Sequence, residues 1–325
     1  MRVLAGDIGG TSARLAIVDV DDTAVQVYHA RRFASKAFSG IVPIVQAFLA
    51  EVSDRPSRAC FAVACPVIDG ECSGTNLSWT IDVRELADAI DVPHTKVIND
   101  LNAVGHGLRR LTPADLVTLQ SGEPNEQGTI AIIAAGTGLG EAFVTRSGET
   151  YSVHSSEGGH ASFSARNARE CGLLSALAST FGHVSYERVV SGPGLVSVYR
   201  YLAETGDVPE QARVRHRMEQ SDPAAVISDE ALSGTDRLSQ CALEMFASAY
   251  GAQAGNLALT VLATGGVYVA GGIAPRIVPK LRDGAFMTAF LDKGRVSDVV
   301  ARIPVNIIVN PHVGLIGAAL VAMRS

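Results

Sequence analysis

The sequence predicts an α/β protein of two domains. Its 325 residues exceed one ordinary domain and suit two modest ones, each folded around its own core. Hydrophobic residues make up 47% and charged residues only 18%, a balance expected when parallel strands are buried on both faces and run as unbroken apolar stretches. A local theme also recurs: an apolar strand enters a glycine turn and emerges as a second β-rich stretch.

The theme appears first where an apolar strand through Asp7 meets Gly9-Gly10 and continues as 13–20. After a polar connection, Ile41, Ile44, Val45, Phe48 and Leu49 fall at helical spacing, and 59–64 reads as a strand. Val83–Ile90 predicts a short helix, 94–98 a strand that ends on Asn99-Asp100, and 101–108 another helix. Thr112-Pro113 and the turn-rich stretch 121–128 break the pattern. A strand at 129–135 then opens a second domain, runs into the glycine turn 136–140 and leaves as 141–145. Helices dominate from Glu170 to the strand Gly266–Ala270, and the small residues of 314–323 predict a closing helix. The uncharged stretch 256–274 carries two glycine pairs and ends in Ala-Pro, so it reads as a helix and a buried strand rather than a membrane span.

A net charge of -6 gives no footing for nucleic acid or an anionic membrane, so small-molecule partners are expected. Asp7 interrupts the N-terminal segment before the apolar core of an export signal can form, which points to the cytoplasm. Cys60, Cys65, Cys72, Cys171 and Cys241 show no CxxC pair and no regular spacing, and are expected as reduced thiols.

Glycine turns after apolar strands suit phosphate binding, because bare backbone N–H groups can surround an anion. Three occur, at Gly9-Gly10, Gly136-Thr137-Gly138 and Gly271-Gly272. A dinucleotide fingerprint or Walker loop must open a helix, whereas the first two lead into strands, and GxxxxGK[ST] is missing. Asp100 follows an apolar strand and precedes a helix, as either a catalytic base or a helix N-cap. Asp7, beside the first turn, would need a cation or backbone N–H groups as partners. His154, Glu157 and His160 form a string that invites a zinc reading, but Gly158-Gly159 makes a helix through it improbable, so the two histidines need not share a face.

The segments AGDIGGT, INDLNAVGHGL, AAGTGLGEA, SSEGGH, ERVVSGPGL, VYVAGGIAP and PHVGLIGAAL, in this order across nearly the whole chain, resemble the landmarks of the proteobacterial-type glucokinases. The resemblance implies two ribonuclease-H-like domains of the actin-like ATPase type with a cleft between them. Residues 1–110, completed by 312–325, would form the smaller domain and 111–311 the larger. It also implies transfer of the γ-phosphoryl group of ATP to the 6-hydroxyl of glucose, in a homodimer.

In that reading Gly9, Gly10 and Thr11 from one domain and Gly136, Thr137 and Gly138 from the other hold the nucleotide phosphates, Gly271 and Gly272 lie near the adenosine, and Gly6, Asp7 and Ile8 belong to the same ATP-binding segment. Asp7 orients Mg²⁺ through water. Asn99, Glu157, His160 and Glu187 hold sugar hydroxyls, and Asp100 takes the 6-hydroxyl proton. For Glu187, stabilisation of a helix's first turn is the alternative. Related ROK kinases place a structural-zinc cysteine cluster after the Glu-x-Gly-His motif; here only Cys171 follows, so no zinc is expected. The alternative is a kinase for another hexose, such as mannose or fructose, because the sequence does not fix which hydroxyl orientations Glu157, His160 and Glu187 accept. A sugar-sensing regulator is disfavoured because no helix-turn-helix segment precedes the first strand. A cytoskeletal or chaperone ATPase would have no use for Asn99-Asp100 or for Glu157 and His160.

Overall fold

In a computed structural model, which describes residues 1–324 apart from 22, 54, 66, 69, 70, 73–78 and 149, the chain divides into two units. The first comprises Met1–Asp115 with Asn310–Ser325, and the second Leu116–Val309.

In the first unit, β1 (Arg2–Ile8), β2 (Ser12–Val20) and β3 (Val25–Ala34) form an antiparallel meander, and α1 (Ile41–Leu49) leads to β4 (Arg58–Val63). A small sheet follows, built from β5 (Val67–Ile68), β6 (Glu71–Cys72) and β7 (Ile81–Asp82). Then come α2 (Val83–Ile90), β8 (His94–Asn99) and α3 (Asp100–Gly107). The main sheet has the order β3-β2-β1-β4-β8, with β4 and β8 parallel to β1. One of its faces packs Leu4, Ile8, Phe61 and Val63 against Phe48 of α1 and Leu86 of α2. The other packs Val3, Ala5, Cys60 and Ala62 against Ala103 of α3 and Leu315, Ala318 and Ala319 of the helix Val313–Met323.

The second unit repeats the design. β9 (Leu116–Gln120) precedes the meander β10 (Ile130–Ala135), β11 (Leu139–Ser147) and β12 (Thr150–Ser156). The helices α4 (Ala168–Phe181), α5 (Gly192–Thr205), α6 (Ala212–Gln220), α7 (Pro223–Leu232) and α8 (Arg237–Thr260) follow, then β13 (Gly266–Ala270), α9 (Val278–Leu281), α10 (Ala285–Leu291), α11 (Ser297–Ala301) and β14 (Val305–Ile308). Val313–Met323 is α12. The sheet order is β12-β11-β10-β13-β14-β9, again a meander whose first strand is flanked by parallel strands, with β9 added antiparallel. This duplicated pattern is the ribonuclease-H-like fold expected. α8, capped by the Asp236 carboxylate on the Ser239 N–H at 2.8 Å, is the buried spine of this unit.

Two expectations are corrected. The polar connection before α1 contains β3, a ten-residue strand. Cys65 and Cys72, expected as reduced thiols, are joined as a disulfide with their Cα atoms 6.0 Å apart. The β5–β6 hairpin, which sets Cys72 opposite Val67, brings them together. Cys60, Cys171 and Cys241 are free. No helix among the described residues is long and apolar enough to cross a membrane.

Candidate active site

β1 sets Asp7 opposite Arg14 on β2 and Ala62 on β4. Burial pushes the Asp7 carboxyl above its ordinary value, and the Arg14 guanidinium offsets this only in part. The turn after β1 is closed by the Gly9 N–H on the Ser12 carbonyl at 3.0 Å, and the Ser35 hydroxyl holds the Gly9 carbonyl at 2.7 Å. Thr11 is exposed, and Gly9 and Gly10 are half-buried. Beside them, a Cβ at Gly6 would come 2.5 Å from the Phe61 ring, and the Ile8 side chain is wholly buried.

At the end of β8, the N-cap of α3 is Asn99 and not Asp100. The Asn99 Oδ1 accepts from the N–H groups of Leu101 at 3.0 Å and Asn102 at 3.3 Å, while Nδ2 donates to the Cys65 carbonyl at 3.2 Å. Asp100 is the first helical residue, and its Oδ1 accepts from the Leu101 N–H at 2.8 Å. Burial pushes the Asp100 carboxyl up to about 6, the Leu101 N–H draws it down, and the charge of Asp7 adds to the rise. Such a carboxyl is a stronger base than an ordinary aspartate yet mostly ionised at neutral pH.

In the second unit, the loop Gly136–Gly138 joins β10 to β11, and Gly271-Gly272 follows β13, the parallel neighbour of β10. Both turns therefore leave the carboxyl ends of adjacent strands, where α/β sheets bind ligands. Gly271 adopts φ +85°, a left-handed conformation that favours glycine. Around Gly136 a Cβ would meet nothing within 4 Å. The Gly136 carbonyl accepts from the Gly192 N–H at 2.8 Å, which ties the loop to the start of α5.

Glu157, His160 and Glu187 converge. The His160 ring lies 3.7 Å from the Glu157 carboxylate through Nε2 and 3.9 Å from that of Glu187 through Nδ1. Glu187 sits in the short turn Tyr186–Arg188, and its Oε2 accepts from the Leu139 N–H at 2.9 Å. It thus touches the glycine loop as well as His160. A Cβ at Gly138 would land 2.4 Å from that same oxygen. His154 stands apart on β12: its ring stacks on Phe143 at 4.8 Å and its Nε2 lies 2.8 Å from the Thr145 hydroxyl. Among the described residues, no group of three or more His, Cys, Asp or Glu could hold a metal ion. The sequence reading missed Glu141 and Gln253, buried polar residues beneath these turns; an acid inside the apolar strand β11 was the one available signal.

Residues 4–325 match the glucokinase family model. The chain belongs to the glucokinase family. A glucokinase of Nostoc sp. is 45% identical over 99% of both chains, and that of Tolumonas auensis is 35% identical over 98% of this chain and 95% of its own. Among solved structures, a glucokinase from an Antarctic psychrotroph superposes with a TM-score of 0.84 at 33% identity, covering 100% of this chain and 99% of its own. The family's fold is shared more widely. A ROK family glucokinase from Streptomyces griseus, solved with glucose and AMPPNP, reaches a TM-score of 0.72 at 21% identity, with both chains covered fully.

Proposed function

We propose that this chain transfers the γ-phosphoryl group of ATP to the 6-hydroxyl of glucose, with Asp100 as the general base. The observation that carries the reading is the raised Asp100 carboxyl at the start of α3, near Asp7. In the first unit the N–H groups of Gly10 and Thr11, and in the second those of Thr137 and Gly138, suit ATP phosphates, whereas the Gly9 and Gly136 N–H groups close their own turns on the Ser12 and Gly138 carbonyls; Gly271-Gly272 suits the adenosine. The Asn99 amide, which donates to the Cys65 carbonyl and hydrogen-bonds the Asp100 carboxyl, holds a sugar hydroxyl beside that base. Glu157, His160 and Glu187 accept or donate to the others. As the 6-oxygen bonds to the γ-phosphorus and the bond to ADP breaks, its proton passes to Asp100.

Asp7 suits hydrated Mg²⁺: a desolvated carboxyl that Arg14 only partly offsets, with a second carboxylate nearby, gains most from a cation held through water. When bound, the ion neutralises charge on the phosphate oxygens.

Glucose-dependent ADP release with ATP and Mg²⁺ tests the activity. Asp100→Asn keeps size and one acceptor oxygen but cannot take the proton, so turnover should drop by about a hundredfold or more while glucose affinity changes little. Near-normal turnover of this variant would remove Asp100 as the base.

A further inference from the structure

We propose that Lys293, Asn256, Gln253 and Glu141 form a buried hydrogen-bonded chain that positions the two turns bearing Glu157, His160 and Glu187 for the sugar. The proposal rests on the functional reading above. Lys293 Nζ donates to the Asn256 Oδ1 at 2.9 Å and to the Ala252 carbonyl at 3.0 Å. Asn256 Nδ2 donates to the Gln253 Oε1 at 3.2 Å, and Gln253 Nε2 donates to the Glu141 Oε1 at 2.7 Å. An ammonium can only donate and an ionised carboxylate can only accept, so the two ends fix the orientation of both amides between them. Burial pushes the Glu141 carboxyl above its ordinary value, and the Gln253 amide opposes the rise.

Glu141 and Gln253 are only 3% and 6% exposed, in a place where well-packed apolar side chains would serve stability as well. What distinguishes the chain is where it ends. Glu141 lies under the first turn: a Cβ at Gly158 would come 2.0 Å from its Oε2, so the turn rests directly on the carboxylate. The second N–H of Asn256 Nδ2 reaches the Tyr186 hydroxyl at 3.1 Å, and Tyr186 is the residue before Glu187. One chain of donors therefore supports both sugar-facing turns from below. Its members act through the turns that they support, which makes them positioning residues.

The test is a swap read by steady-state kinetics. Gln253→Glu sets a second carboxylate against Glu141 and should raise the KM for glucose by about tenfold while the KM for ATP stays within about threefold. Adding Glu141→Gln restores one carboxylate between two amide donors, so the double variant should return the glucose KM to within about threefold of the unmodified protein. A glucose KM that Gln253→Glu leaves unchanged, or that the swap does not restore, overturns the proposal. Should Gln253→Glu fail to fold, Lys293→Met at the half-buried end of the chain should raise the glucose KM by about threefold or more, and an unchanged value overturns it equally. Glu157→Ala is the control. If the unmodified protein does not phosphorylate glucose, or Glu157→Ala leaves its glucose KM unaltered, the sugar-site reading falls and this proposal with it. If both controls hold and Gln253→Glu is silent, only the chain's role is lost.

Discussion

Asp100 is held where its neutral form is favoured, and that has two measurable consequences. The proposed base must be ionised to accept a proton, so kcat/KM for glucose should decline as pH falls through about 6, the value to which burial raises this carboxyl. A pH–rate profile without an acid limb in that region would separate Asp100 from the proton transfer. The stability effect has the opposite sense. Between the ordinary aspartate value and about 6, the folded protein binds a proton that the unfolded chain has released, so stability falls as pH rises through that window and stays lower above it. Asp100→Asn removes the ionisable group, so its thermal midpoint should exceed that of the unmodified protein at pH 7.5, with the gap narrowing near pH 5. A variant that melts earlier at pH 7.5 would mean that the Leu101 N–H and the helix terminus outweigh desolvation. The residue beside it shows what sequence could not decide. Asn99 and Asp100 both suit a helix cap, and only the backbone course at the end of β8 gives the cap to Asn99 and leaves Asp100 its second oxygen.

At the scale of elements, the strands that escaped the sequence reading are mostly those at sheet edges. β3, β9 and β12 each border one sheet and bury one flank at most; β3 has a single buried residue in its span. An edge strand needs little apolar surface, so alternation is faint and polar residues dominate. The central strands β1, β4, β10 and β13 were legible because both faces are buried and their spans are mostly apolar, with Asp7 the one acid within them. The glycine turns were legible as well, but the contact of Glu187 with one of them was not, because it joins residues 48 apart in sequence. That contact gives the loop Gly136–Gly138 two unlike glycines. Gly138→Ala would drive a methyl into the Glu187 carboxylate and break its bond to the Leu139 N–H, so the KM values for glucose and ATP should both rise, by about tenfold. Gly136→Ala meets open space and should raise the ATP value alone. Equal effects of the two substitutions on the glucose KM would show that Glu187 does not couple the loop to the sugar.

For the molecule as a whole, no structural zinc is predicted, because only Cys171 follows the Glu157–His160 motif. Activity should survive extensive chelation followed by Mg²⁺ alone, and stoichiometric zinc in the purified protein would contradict this. The order of the chain imposes a separate constraint. The face of the first sheet formed by Val3, Ala5, Cys60 and Ala62 is covered by α12, whose Gly317 comes so close to α3 that a Cβ would sit 1.7 Å from the Ala103 carbonyl. Residues 313–323 leave the ribosome only after every residue of the second unit. During synthesis, then, the unit bearing Asp7 and Asp100 waits with a bare apolar face until residues 313–323 emerge, a state that invites chaperone binding. A released chain that ends before Val313 should be cut by protease within 1–115 yet protected within 116–309, whereas the chain through residue 325 should be protected in both. Turns of helix translated after the second unit act, in this sense, as the latch on the first strands.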